Sequence, residues 1–220
     1  MSNITINKTD ALGDIVAKFP KAAEVLKSYR IDFCCGGHRS LEEAALEKSV
    51  DADKVVGAIR ALAQELTENQ EDFTKMSDER LIDHIINTHH SYLNTNLPEI
   101  SRLASAVLRA HGDVHPELFE IYKDFHALKA DLEQHLIKEE VTLFPGILNS
   151  RDEGKVLEEI EDEHEGAGEI LRNLRDLSQD YTVPADGCPS YEKLYHKLEE
   201  LEGDIFQHVH LENNILFKRL

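Results

Sequence analysis

The stretch QHVHLENNILF, residues 207–217, decides how this chain is read. Counting forward from Leu194, the apolar residues Leu198, Leu201 and Ile205 alternate in steps of four and three, which marks one buried face of a helix. The next positions in phase are His208 and Glu212, after which Ile215 resumes the apolar run. A carboxylate in a packed seam is costly unless hydrogen bonds, a counter-charge or a metal offset it, so the sequence has to supply one of these.

The arrangement occurs a second time. Leu118, Ile121, Phe125, Leu128 and Leu132 form a seam whose next two positions are His135 and Glu139. Histidine and glutamate four residues apart share a helix face, so each pair presents an imidazole and a carboxylate to the same interior. A third seam runs Leu157, Ile160, His164, Ala167, Leu171 and Leu174. In a fourth, stepping back from Val107 through Ala104, Ile100, Leu97 and Leu93 reaches His90 and then Ile86, with His89 out of phase. Pro98 lies on that segment, and a kink there would disturb the count.

One histidine on an apolar face is most often a hydrogen-bonded core residue. Two copies of the same spacing, with a donor on every seam, point instead to metal. Four histidines and two glutamates suit two ions better than one: with each glutamate bridging, each ion has about four protein donors and room for a bridging oxygen and an exogenous molecule. Mixed imidazole and carboxylate donors favour iron over calcium or magnesium, and seams without cysteine argue against structural zinc. Iron is the first choice, ahead of manganese and zinc.

The seams fit four long amphipathic helices over about residues 78–110, 116–148, 151–178 and 190–219. Ser77, Pro116, Ser150 with Glu153, and Ser190 mark their expected starts. Short connections make neighbours antiparallel, so an all-α, up-down-up-down four-helix bundle is expected over residues 78–220. Residues 66–77, LTENQEDFTKMS, read as a polar linker. Before it, residues 1–65 read as a small helical domain with helices around 11–18, 21–29, 41–47 and 54–66, the third opened by a capping box at Ser40 and Glu43.

With 43 acidic against 24 basic residues the chain of 220 carries a formal charge of −19, which argues against nucleic acid or an anionic membrane surface as partner. The start, MSNITINKTDALG, lacks a basic region followed by an apolar run, and no apolar stretch approaches the roughly 20 residues of a membrane span. A cytoplasmic location is expected, and a reducing compartment also suits three cysteines of which two are adjacent.

Those two, Cys34 and Cys35, lie in RIDFCCGGHRS, residues 30–40. Adjacent cysteines close only a strained ring with each other, and the Gly36-Gly37 pair leaves the loop free to bend. Two readings stand side by side: the loop exposes the sulfurs near the positive end of the helix capped by Ser40, where a thiolate is favoured, in a redox or metal-transfer role, or it holds two small packed residues. Cys188, alone in PADGCPS, is given no chemical role. His84, His111, His115, His126 and His196 read as surface or capping groups, and His210 as pointing away from the centre.

DFCCGG at 32–37, DHII at 83–86 with His90 beyond it, HLIKEEVTLFP at 135–145, EDEHEGAGE at 161–169 and HVHLENNILF at 208–217 together resemble the repair-of-iron-centres proteins of the ScdA/YtfE type. That family joins a short cysteine-bearing domain to a hemerythrin-like bundle, and the resemblance covers nearly the whole chain. It implies two non-haem irons, oxo- or hydroxo-bridged, on His90, His135, Glu139, His164, His208 and Glu212. It also favours His90 over His89, because the family's ligand lies six residues after the histidine matched by His84. Oxygen-carrying hemerythrins have a second histidine on the third helix, where this chain has His164 alone in phase, and simple oxygen carriage is therefore not expected.

The implied role is a cytoplasmic stress protein that helps restore iron-sulfur clusters damaged by nitric oxide or oxidants. Three mechanisms are compatible with it: donation of iron to damaged iron-sulfur proteins, with Cys34 and Cys35 handing on metal or nitrosyl; reduction of nitric oxide to nitrous oxide at the two irons; or a sensor or store for dioxygen or iron. A homodimer through the small domain would bring two cysteine pairs together.

Overall fold

The computed structural model describes residues 5–65, 72–149 and 154–220. Residues 66–71 of the linker stretch and the expected helix start at Ser150 with Glu153 lie outside the described residues. Among those described, secondary structure is helical, with an isolated bridge between Ala11 and Ser40. The all-α class expected from the seams is what the chain adopts. Two compact units divide it: one takes the chain to Leu81 and again from Phe206 to Leu220, the other is Ile82–Ile205.

The first unit is built on α1 (Leu12–Lys18), α2 (Ala22–Ser28), α3 (Leu41–Glu47) and α4 (Ala52–Glu65). The Ser40 hydroxyl accepts from Glu43 N at 3.2 Å while Glu43 accepts from Ser40 N at 2.9 Å, the reciprocal cap read in the sequence. Leu12, Ile15, Val16, Leu26, Phe33, Leu41, Val55 and Ile59 fill its core, and Phe206 packs against them. The C-terminal residues are tied in by Arg219, which donates to Met76 O at 2.9 Å and to Asp78 at 2.7 Å.

The second unit holds α6 (Ser91–His111), α7 (Glu117–Lys138), α8 (Phe144–Leu148), α9 (Gly154–Leu177) and most of α10 (Pro189–Leu211); α5 (Asp78–Ile85) leads into it. α7 packs on both α6 and α9. α10 closes the bundle: Lys193 reaches Glu99 on α6 at 2.5 Å, and Arg175 on α9 holds Glu202 with Nε–Oε1 at 2.8 Å and Nη2–Oε2 at 2.5 Å. The seam residues named from the sequence on α7 are all buried, as are Leu194, Leu198, Leu201 and Ile205 on α10. α10 starts one residue before Ser190, with Cys188 at the cap accepting from Tyr191 N and Glu192 N through its carbonyl.

The long helices differ from expectation in one respect. Three of the four are broken by π turns, at Ile86–His90, Glu139–Leu143 and Glu212–Leu216, whereas α6 runs unbroken through Pro98. A π turn holds one residue more than an α turn and shifts the buried face accordingly. Four residues before His90, Ile86 is only half-buried; five residues before, Ile85 is 0% exposed. Among the described residues no helix is long and apolar enough to cross a membrane.

Candidate metal centre

Each π turn begins or ends on a residue singled out in the seams. His90 closes the first, Glu139 opens the second and Glu212 opens the third. Such turns inside α-helices are frequent at functional sites, because the extra residue re-aims side chains that regular phasing would lock.

Glu139 is 0% exposed, with Oε2 3.3 Å from His90 Nε2 and Oε1 3.4 Å from His135 Nε2. His164 Nε2 stands 3.2 Å from His135 Nε2, and His208 Nε2 lies 3.1 Å from Glu212 Oε1. The donor atoms of His90, Glu139, His208 and Glu212 fall within 4.8 Å of one another, and so do those of His135, Glu139, His164 and Glu212. All six residues are buried, and the two glutamates occur in both groups.

The outer nitrogens of two of these histidines are held by carboxylates. His90 Nδ1 is 2.7 Å from Glu140 Oε1, and His135 Nδ1 is 2.9 Å from Glu163 Oε2. An ionised carboxylate only accepts, so Nδ1 carries the proton and Nε2 turns its lone pair inward. Glu163 is braced in turn by Lys138. Burial pushes the Glu163 carboxyl up, but the hydrogen bonds from Lys138 and His135 outweigh it and hold the group below its usual range. Inward lone pairs converging on carboxylate oxygens repel one another unless a cation lies among them, so this donor set fits a metal. Imidazole mixed with carboxylate is a donor chemistry suited to iron.

His89 is also buried, with Nδ1 2.9 Å from Asp204, and it belongs to neither donor group. His126 bonds Ser101 Oγ and Tyr122 O, His115 bonds Asp186 and Glu117, and His196 lies exposed beside Glu200. His210 is buried at the edge of Phe33, and burial lowers its imidazole to about 4. The outer carboxylates Glu140 and Glu163 were missed in the sequence, although each directly adjoins a seam ligand.

In the cysteine loop the packed reading describes Cys34. Cys34 is buried, and its thiol is pushed well above the usual range by the hydrogen bond with Cys35, by burial and by Asp32. Cys35 is half-buried. Asp32 Oδ1 accepts from the backbone N–H of Cys34 and Cys35 at 3.1 Å and of Gly36 at 3.3 Å, so the loop winds around a carboxylate. Cys34 Sγ lies 3.3 Å from Asp32 Oδ1 and 3.8 Å from Cys35 Sγ, and the three side chains form a further compact donor group. The thiol pulled below its usual range is Cys188, by a hydrogen bond from His111 and by backbone N–H groups at the start of α10.

Fold and donor set together define a metal-binding protein of the four-helix-bundle class. Two family models match: the "Domain of Unknown function (DUF542)", an ScdA N-terminal domain, over residues 8–63, and the "Hemerythrin HHE cation binding domain" over residues 81–220. The chain is 35% identical over 211 residues to the iron-sulfur cluster repair protein YtfE of Enterobacter sp. (strain 638), covering 94% of each. It is 36% identical over 212 residues to the probable iron-sulfur cluster repair protein of Haemophilus influenzae, covering 95% of each, and 33% identical to YtfE of Escherichia coli O81 over 94% of each. The chain therefore belongs to the hemerythrin HHE family, in the two-domain form found in the iron-sulfur cluster repair proteins.

Proposed function

We propose that this chain is a cytoplasmic di-iron protein that restores iron-sulfur clusters damaged by nitrosative or oxidative stress, by supplying iron. Its ligands are His90, Glu139, His208 and Glu212 for one ion and His135, Glu139, His164 and Glu212 for the other. The observation that carries this is the sharing of Glu139 and Glu212 by both donor groups, the arrangement that carboxylates bridging two ions require. The relatives' names support cluster repair, and free thiols at Cys34, Cys35 and Cys188 suit a reducing compartment.

Bound iron would supply an exchangeable ion for transfer. The residues do the rest. Glu140 and Glu163 fix the tautomers of His90 and His135, so that Nε2 is the donor. Phe144, stacked on His90 with ring centroids 5.8 Å apart, shields that side from water. Asp32, Cys34 and Cys35 would offer iron a second, softer donor group.

The test is to load the full chain with ferrous iron under anaerobic conditions and mix it with an enzyme whose cluster has been damaged by nitric oxide. Recovery of that enzyme should accompany loss of iron from the chain. Retained iron without recovery would exclude donation, and formation of nitrous oxide beyond the iron present would assign the centre to nitric oxide reduction instead. About two irons per chain are expected in the wild type, with clear loss in Glu139→Ala.

A further inference from the structure

Asn214 lies in the third π turn, two residues beyond Glu212, and is 7% exposed. Its side-chain nitrogen donates to the main-chain carbonyl of Cys34 at 2.8 Å and to that of Phe33 at 3.3 Å. The rest of its carboxamide fills the space where two glycines meet. Gly13 N donates to Gly37 O at 2.8 Å, and a Cβ added to either glycine would collide with the Asn214 side chain. Buried peptide carbonyls need a donor, and here a single amide serves the two that flank the start of the cysteine pair.

The same short turn therefore has two attachments. Its first residue, Glu212, belongs to both His/Glu donor groups. Its third, Asn214, clamps the backbone of the loop that buries Cys34. A π turn is one hydrogen-bonded unit, so what fixes one of these residues restricts the other.

We propose that Asn214 is a positioning residue that couples metal occupancy at Glu212 to exposure of the Cys34–Cys35 thiols. With the ion in place the turn is held and Asn214 keeps the loop closed; when the ion leaves, the turn relaxes, the two carbonyls lose their donor and the thiols open. Coupling of this kind is reciprocal, so whatever occupies the opened thiols weakens metal binding at Glu212 by the same factor. The coupling rests on the proposed ligation by Glu212, whereas the clamp itself rests only on the contacts of Asn214.

The experiment follows alkylation of the full chain by iodoacetamide, with the rate at each cysteine read by peptide mass mapping. Wild type and Asn214→Ala are compared, each stripped of metal and each loaded with ferrous iron, with iron content measured on the same samples. Cys188 serves as the internal reference. Cys34 in the loaded wild type should react about tenfold more slowly than in the stripped wild type, the scale of one buried hydrogen bond lost on local opening. In Asn214→Ala it should react fast in both states.

If the variant keeps the wild-type protection by iron, the metal shields the thiols directly and the coupling is overturned. A slow Cys34 in the stripped variant overturns the clamp as well. A wild type that takes up no iron overturns the proposed function, and the coupling with it, and is recognised from the iron content and not from the alkylation rate. Should Asn214→Ala fail to fold, Gly13→Ala displaces the same carboxamide from the other side and must give the same fast, iron-independent reaction.

Discussion

Glu163 offers the sharpest test of how the centre is tuned. Its Oε2 accepts from His135 Nδ1 at 2.9 Å, and Lys138 braces the same carboxylate. A charge-assisted bond of this length contributes roughly 1.5–3 kcal/mol where it is shielded from water. Glu163 has a side-chain exposure of 36%, so the lower end applies. Glu163→Gln keeps an acceptor but loses the charge, and should weaken ferrous binding about 10-fold. Glu163→Leu leaves no acceptor, frees His135 to adopt the tautomer with N–H on Nε2, and should weaken binding about 100-fold. Glu159→Gln is the control, because Glu159 reaches Lys138 at 3.5 Å and no bond joins it to His135.

Affinities would be read by competition with a ferrous chelator under anaerobic conditions. A Leu variant that binds like the wild type would refute the claim that Glu163 orients His135. The pH dependence has a definite sign. Because the folded Glu163 carboxyl sits below its usual value of 4.5, its contribution to stability is fully present above that value and is lost as pH falls through the folded pKa. In metal-free protein the stability gap between wild type and Glu163→Gln should therefore narrow on acidification below 4.5.

Two further outcomes are expected. Glu202 is 2% exposed and bonded through both oxygens to Arg175, whose side-chain exposure is 13%, so Glu202→Ala leaves the guanidinium with Asp180 at 3.2 Å as its counter-charge; urea unfolding should show a loss of about 2–3 kcal/mol, and a loss below about 1 kcal/mol would refute that reading. Between pH 7 and 8 Cys188 should be alkylated before Cys34, since His111 pulls the first thiol down while Cys35, burial and Asp32 push the second up, and the reverse order would overturn the assignment.

Much of the candidate centre was legible because a buried helix face imposes a step of about 3.6 residues on the sequence. Once Leu118 to Leu132 and Leu194 to Ile205 fix the phase, His135, Glu139, His208 and Glu212 can only point inward, and all four are buried. Counting back along α6 also selected His90, but the same counting then chose Ile86 where Ile85 is the buried residue. Periodicity assumes unbroken α-geometry, and nothing in INTHH, EEVTL or ENNIL announces the extra residue of a π turn.

The cysteine loop stays open between two readings for a different reason. Read locally, Gly36 and Gly37 mean only freedom to bend, whereas Gly37 is needed because the Asn214 side chain occupies the place of its Cβ. That partner comes from the far end of the chain, and no local pattern relates the two.

The features legible along the chain are therefore local and periodic: the helices, the capping box at Ser40, the buried faces and the donors they carry, all of which depend on neighbours within one or two turns. The tertiary structure alone decided where helix phase breaks, which carboxylates stand behind the histidines and why Cys34 is shut away. Each of those depends on atoms brought together from distant parts of the chain, and their contact energies enter only when the chain has folded.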